Sequence, residues 1–130
     1  MNEVISSYTR KQAIDDGVLI DLNQPSTQEL VDNAGFRVPV CITRGVYNLV
    51  NVPEGLEGLQ DFNGRLWDVL YMASLHFRSC MNRNPDNNDE CRIVPFKVIF
   101  RQSRETTKTG TLWLTFNEYE GFTIMTPDEY

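Results

Sequence analysis

The chain has 130 residues, of which 41% are hydrophobic and 23% charged, a composition typical of one globular domain. A total of 18 Asp and Glu against 12 Lys and Arg gives a net charge of −6, which argues against non-specific binding to nucleic acid or to an anionic membrane. No apolar run approaches the roughly 20 residues of a membrane-spanning helix, and the start MNEVISSYTR lacks the basic and apolar regions of a signal peptide.

The cysteine content favours a cytoplasmic protein. Cys41, Cys80 and Cys91 are an odd count without a CxxC pair. That pattern fits a reducing compartment better than a disulfide framework, and we expect the three thiols to be buried. We also expect no membrane contact, no cofactor and no metal site.

The N-terminal stretch YTRKQAIDDGVLIDL predicts a capped helix followed by a buried strand. Over residues 8–16, Thr9 is a good N-cap and Gln12 occupies the capping-box position. Gly17 is a typical C-terminal stop. VLIDL at 18–22 then reads as a short strand or a buried extended segment.

Two more short helices are predicted before residue 51. Ser26 is the expected N-cap of the first, which ends at Gly35. VPVCIT at 38–43 reads as extended, since a proline moves the residue before it out of the helical region. Thr43 is the expected cap of a helix that runs to Val50, and a loop follows.

The strongest helical pattern spans residues 62–82. At 100° per residue, most of its large apolar side chains fall in one broad arc that we expect to be the core face. A mostly polar stripe lies on one flank of that arc. The other flank carries a second stripe, formed by Trp67, Tyr71, Ser74 and Arg78.

The last third of the chain alternates with period two and predicts strands at about 93–101, 111–116 and 122–126. A polar loop covers residues 82–90, and we expect a polar connector at 101–110. Turn-length links between the strands suggest an antiparallel meander. The prediction is one α+β domain over residues 1–130, with a three-stranded antiparallel sheet packed on the central helix and short N-terminal helices covering one side.

The blocks YTRKQAIDDGVLIDL, AGFRVPVCITRGVY, GRLWDVLYMA and FTIMTPDEY follow one another along the chain. They resemble the successive blocks of an uncharacterised family of short bacterial, plasmid and phage proteins known only as a domain of unknown function. The resemblance extends over nearly the whole chain. It implies a mobile-element setting and supplies no catalytic residue.

The stripe of Trp67, Tyr71, Ser74 and Arg78 is the leading candidate for a partner-binding surface. Trp, Tyr and Arg are the residues most enriched at protein–protein hot spots. An aromatic stripe at helical spacing is more often part of a core, but Ser74 and Arg78 argue for partial exposure. The acidic loop at 84–90 is a second candidate surface.

Three arginines form a candidate anion site. Arg44 and Arg65 each lie beside an expected helix start, where backbone amides and a guanidinium suit a phosphate or carboxylate, and Arg10 lies beside the expected cap of the first helix. They would cooperate only if the fold brings them together. The alternative for Arg65 is an ion pair with Asp68 or Asp61 on its own helix.

These observations leave three hypotheses open. The first is a non-catalytic interaction protein of a phage or mobile element that inhibits a host protein, with a defence component as the expected target. The second is a small-ligand protein that binds or sequesters a nucleotide-like anion through the arginines. The third is an acidic mimic of nucleic acid. No catalytic residue is predicted, because the standard enzyme motifs are absent and His76 with Cys80 lacks a third orienting group.

Overall fold

The computed structural model describes residues 9–52, 55, 56, 58 and 61–130. The described helices are α1 (Arg10–Asp15), α2 (Gln28–Ala34), α3 (Arg44–Val50) and α4 (Phe62–Arg83). The described strands are β1 (Leu19–Asp21), β2 (Val40–Thr43), β3 (Ile93–Arg101), β4 (Thr107–Asn117) and β5 (Gly121–Met125), with short 3₁₀ turns at Asn88–Cys91 and Pro127–Glu129.

The caps of the short helices explain where they begin and end. Thr9 and Gln12 form the predicted capping box at the start of α1, and Thr43 caps α3 through the backbone N–H of Val46. The expected cap of α2 was wrong by one residue. Thr27, not Ser26, occupies that position, and its hydroxyl donates to the Leu22 carbonyl instead of capping the helix.

One sheet of five strands runs in the order β1-β2-β5-β4-β3, so the predicted three-stranded sheet is incomplete. The sheet is also mixed and not purely antiparallel, because β2 pairs with β5 in parallel, with Val40 opposite Phe122. The strands β1 and β2 have only three and four residues. Segments this short show little periodicity, and a pairing between positions so far apart in the chain leaves no local signal.

The connector between β3 and β4 is shorter than the predicted one at 101–110. β4 begins at Thr107 and pairs with β3 as far as Arg101, so residues 107–110 belong to the hairpin. Threonine favours extended backbone, and its alternation with Lys and Gly here continues the period of the strand that follows. The boundaries of β3 agree with the prediction, and those of β5 differ by one residue.

The core lies between α4 and one face of the sheet. The predicted arc of α4 is buried there, and it meets the inward-facing residues of β3, β4 and β5. Residues of α2, α3 and β2 close the same core, whose fully buried members include Val31, Val46, Ile42, Leu70, Leu114 and Ile124. Among the described residues, no helix has the length and apolar character needed to cross a membrane.

Candidate functional site

A cavity of about 450 Å³ opens between α4, the segment after α2, and the adjacent ends of β4 and β5. Its apolar wall is formed by four phenylalanine rings, three of which contact the ring of Phe122. The Phe122 ring lies 5.0 Å from the Phe36 ring, 5.0 Å from Phe77 and 4.8 Å from Phe116, measured between centroids. We call this cavity the aromatic cleft.

The rings of the aromatic cleft meet one another at steep angles. Phe77 stands nearly perpendicular to Phe122, at 88°, and Phe36 meets Phe122 at 69°. Perpendicular and tilted pairs are the preferred arrangements of aromatic rings. A further ring entering the cleft would therefore extend an existing edge-to-face cluster.

Two members of the predicted partner-binding stripe, Ser74 and Arg78, line the aromatic cleft. Ser74 is only 5% exposed, and its hydroxyl makes no hydrogen bond with any other residue that the structure describes. No fully buried side-chain N or O atom in the described ranges lacks a partner. The Ser74 hydroxyl is therefore reached from the cleft, where an occupant can satisfy it.

A second arginine, Arg37, also lines the aromatic cleft. Its guanidinium donates to the carbonyls of Asp32 and Phe36, each at 3.4 Å, which is long for a charge-assisted hydrogen bond. Arg78 makes no hydrogen bond or ion pair within the described ranges. The protein carries a net charge of −6, yet among the described residues no carboxylate forms a salt bridge with either arginine.

The other half of the predicted stripe lies outside the cleft. Trp67 is half-buried and packs against the core, with its ring 5.8 Å from that of Tyr71. Tyr71 is 45% exposed, and Leu75, one turn further along α4, is 42% exposed. We call these three residues the outer flank; Arg78 is the next residue along the same face of the helix.

Beside the outer flank, a shallow groove separates α4 from the edge strand β3. Tyr71 and Met72 line it on the helix side, and Lys97 and Ile99 line it on the strand side. Ile99 is among the most exposed large apolar residues of the described chain. The groove therefore places the exposed Ile99 of the sheet edge opposite Tyr71, with the charged side chain of Lys97 beside it.

Arg10 and Arg44, two of the three predicted anion-binding residues, line a second cavity of about 630 Å³. Both guanidiniums are engaged within the protein. Arg10 donates to the Thr123 hydroxyl at 2.7 Å and to the Phe122 carbonyl at 2.6 Å. Arg44 donates to the Gly17 carbonyl at 2.9 Å. The two side chains hold the N-terminal helix and turn against the sheet and α3.

Arg65, the third predicted anion-binding residue, lies outside this cavity. It is buried in the first turn of α4, where its guanidinium donates to the Leu49 carbonyl at 2.7 Å and to the Arg101 carbonyl at 2.9 Å. The same guanidinium lies over the Phe100 ring at 5.0 Å. Burial lowers the pKa of Arg65, and nearby Asp68 opposes that shift. The three arginines do not converge on one site.

The start of α3 already holds an anion that the protein itself supplies. The Glu129 carboxylate accepts hydrogen bonds from the Gly45 backbone N–H at 3.0 Å, from the Thr43 hydroxyl, and from Thr126. Burial alone raises the pKa of Glu129, but these hydrogen bonds outweigh it and hold the pKa below its ordinary value. A Cβ on Gly45 would lie 2.7 Å from this carboxylate, so a side chain at this position would require the Glu129 side chain to shift.

The single histidine and its neighbour at i+4 form no dyad. The His76 ring nitrogen Nδ1 lies 3.0 Å from the Met72 carbonyl, whereas the Cys80 thiol donates to the Glu90 carbonyl. Burial, together with a hydrogen bond to Cys80, raises the pKa of Cys91 to about 11. The side chains of His76, Cys80 and Cys91 therefore make their hydrogen bonds within the protein. The described residues include no cluster of three or more His, Cys, Asp or Glu able to hold a metal.

The predicted partner-binding stripe includes Ser74 and Arg78, which line the cleft, but no prediction named Arg37 or the aromatic wall. The wall comes from four separate segments, so no spacing rule relates its members. One available signal was the placement of Arg37 directly after Gly35 and Phe36, where a helix stop is followed by a large apolar residue and a charge.

A family model matches residues 1–117, and its description is a family of unknown function, DUF6573. No curated protein and no solved structure matches the chain.

Proposed function

The chain belongs to the family of unknown function DUF6573, and from the geometry of α4 we propose that it is a non-catalytic interaction protein. It binds a partner protein through the outer flank of Trp67, Tyr71 and Leu75. The observation that carries this proposal is the exposure of Tyr71 and Leu75, at 45% and 42%, on the outward face of the longest described helix.

An exposed aromatic and an exposed aliphatic residue one turn apart make a continuous apolar patch. Patches of this kind mark interaction sites when polar groups surround them. Asp68 and Lys97 lie beside Tyr71 at the groove, and Arg78 follows Leu75 along the helix. This arrangement of apolar centre and charged rim is typical of a protein–protein interface.

The chemistry of the rim indicates what kind of partner fits. Arg78 carries a positive charge that no described residue neutralises through an ion pair. The partner we propose therefore presents an apolar patch with an acidic side chain at its border, placed to meet Arg78. Such a pair at an interface contributes more to specificity and association rate than to affinity.

A finer step concerns the identity of the partner. We propose a host protein bound by a phage or mobile-element protein, with a defence component as the target and inhibition by coverage of its working surface. The ground for this step is the resemblance of the sequence blocks to short phage and plasmid proteins. Acidic mimicry of nucleic acid stays a prediction that no observation favours further.

The test uses tagged full-length protein and bacterial host lysate, with proteins identified by mass spectrometry. Tyr71→Ser with Leu75→Ser removes the apolar patch from exposed positions. Tyr119→Ser removes an aromatic that is 90% exposed elsewhere and serves as the matched control. We expect one stoichiometric protein with wild type and with the control, and its loss with the double variant.

A second variant tests the charge of the rim. Arg78→Glu should weaken binding of the captured protein by about tenfold or more, because it reverses the charge that faces the partner's acid. Purified components and calorimetry give this value. If the captured protein binds the Tyr71→Ser, Leu75→Ser variant as tightly as wild type, the outer flank is scaffold and the proposal is wrong.

A further inference from the structure

We propose that the aromatic cleft is a binding site for a small aromatic carboxylate. The ring of the ligand packs among Phe36, Phe77 and Phe122, and its carboxylate meets Arg78 and Arg37 at the mouth. This inference goes beyond the proposed function, because Tyr71 and Leu75 lie outside the cleft.

The shape of the cleft fits a small molecule. Its volume of about 450 Å³ lies within the range of roughly 300–1,000 Å³ that is usual for ligand sites. The lining is mostly apolar with few polar groups, which is the usual composition of such a site. The four phenylalanine rings already form tilted and perpendicular pairs, so an aromatic ligand finds partners in the preferred geometry.

The hydroxyl of Ser74 is the group that points to a ligand rather than to an empty cavity. Ser74 as a residue is more than nine-tenths buried, and its hydroxyl, which is reached from the cleft, makes no hydrogen bond with any residue in the described ranges. A serine on a helix commonly satisfies itself on the carbonyl one turn earlier, and Ser74 does not. A carboxylate oxygen entering the cleft would accept a hydrogen bond from this hydroxyl.

The charge at the mouth identifies the anionic group. Arg78 makes no ion pair with a described residue, and Arg37 makes only two long hydrogen bonds to carbonyls. A planar guanidinium matches a carboxylate with two parallel hydrogen bonds. A cationic ligand would meet two like charges, and a neutral one would leave both guanidiniums and the hydroxyl without an anion.

The test titrates ¹⁵N-labelled full-length protein with indole-3-propionate, followed by amide chemical shifts. Indole-3-propionamide has the same shape without the charge, and tryptamine carries the opposite charge. We expect shifts centred on Gly35, Ser74, Arg78 and Phe122. The carboxylate should bind about tenfold tighter than the amide, with tryptamine weakest.

Variants assign the contacts. Arg37→Met with Arg78→Met keeps much of the apolar stems and should weaken the carboxylate about tenfold or more while leaving the amide within about twofold. Ser74→Ala should weaken the carboxylate by a few-fold. Arg104→Met changes an exposed arginine outside the cleft and should change nothing. The Tyr71→Ser, Leu75→Ser variant should bind the carboxylate normally, which separates this site from the partner surface.

Three outcomes overturn the proposal. One is the absence of shifts at cleft amides at about 5 mM indole-3-propionate, where even a millimolar site is largely occupied. Another is equal binding of carboxylate, amide and amine by wild type, a comparison that holds even if a variant fails to fold. The third is much tighter binding of a hexapeptide ending in a free C-terminal tryptophan, which would assign the cleft to the terminus of a protein chain.

Discussion

The backbone N–H of Gly45 donates to the Glu129 carboxylate at 3.0 Å, so the C-terminal turn supplies the anion at the start of α3. The sequence predicted an external anion at this helix start, beside Arg44, whereas the Gly45 amide binds a carboxylate of the chain itself. The carboxylate belongs to the protein. The Thr43 hydroxyl makes two hydrogen bonds here: it donates to the Glu129 carboxylate and accepts from the Val46 N–H.

Glu129→Gln should lower the free energy of unfolding at pH 7 by about 1 kcal/mol, a modest value because the site is solvent-exposed. The folded-state pKa of Glu129 lies below its ordinary value near 4.5, so its contribution is complete above that pH and is lost as the pH falls through the folded value. The difference between wild type and variant should therefore shrink toward pH 3. Urea unfolding at the two pH values measures it. A difference that stays constant with pH would contradict the assigned hydrogen bonds.

Arg65 donates a hydrogen bond to a backbone carbonyl on the edge strand of the sheet, β3. Phe116 N donates to Arg92 O, so the even-numbered residues of β3 direct their backbone groups toward β4 and the odd-numbered ones outward. Of the outward positions, Pro95 has no N–H and the Arg101 carbonyl is occupied by the Arg65 guanidinium. These features blunt an edge that would otherwise invite pairing with another chain.

Arg65→Met should lower the free energy of unfolding by about 3 kcal/mol, because the carbonyls of Leu49 and Arg101 lose a charged donor. Arg65→Lys should recover only part of the loss, since one ammonium lacks the planar fork that reaches both carbonyls. Urea unfolding followed by circular dichroism gives the values, with Arg104→Met as the exposed control. A loss under about 1 kcal/mol for Arg65→Met would show that these contacts are replaceable by water.

The helices and strands with strong periodicity were predictable, but the pairing between strands that lie far apart in the chain was not. α4 and β3 follow from period and length alone, because each shows its pattern over many residues. The strand β2 reads VCIT and is buried at all four positions. Such a run shows no alternation, and nothing local indicates that its neighbour is β5 or that the pairing is parallel.

The same distinction holds for the candidate sites. Ser74 and Arg78 share a helical flank, so the spacing placed them together. Spacing could not show that the stripe divides, with Tyr71 facing outward and Ser74 buried in the cleft. That division is set by the segment after α2, which brings Phe36 and Arg37 against the second half of the helix.

Cys91 should resist alkylation in the folded protein. Its pKa of about 11 results from burial and from its hydrogen bond with Cys80, so very little thiolate is present at pH 8. We expect iodoacetamide to label Cys91 at least about tenfold more slowly in the folded chain than in urea, where the pKa returns to roughly 8.5. Peptide mass spectrometry after timed pulses measures both rates. Labelling within about twofold of the unfolded rate would mean that this region opens readily.

Gly121 should tolerate no side chain, because two constraints coincide there. Its φ is +100°, and a Cβ would lie 2.3 Å from the Pro39 carbonyl oxygen, which accepts a hydrogen bond from the Phe122 N–H at the β2–β5 pairing. Gly121→Ala should lower the free energy of unfolding by about 3 kcal/mol or more, because of the unfavourable φ and the displacement of the strand.

Gly35→Ala is the matched control, since its φ is +98° but its Cβ would meet only Ser74 and Arg78 at ordinary contact distances of 3.8 and 4.0 Å. That variant should lose only about 1 kcal/mol. Equal losses in thermal unfolding would indicate that φ alone decides the cost, and that the close approach of β2 to β5 is not rigid.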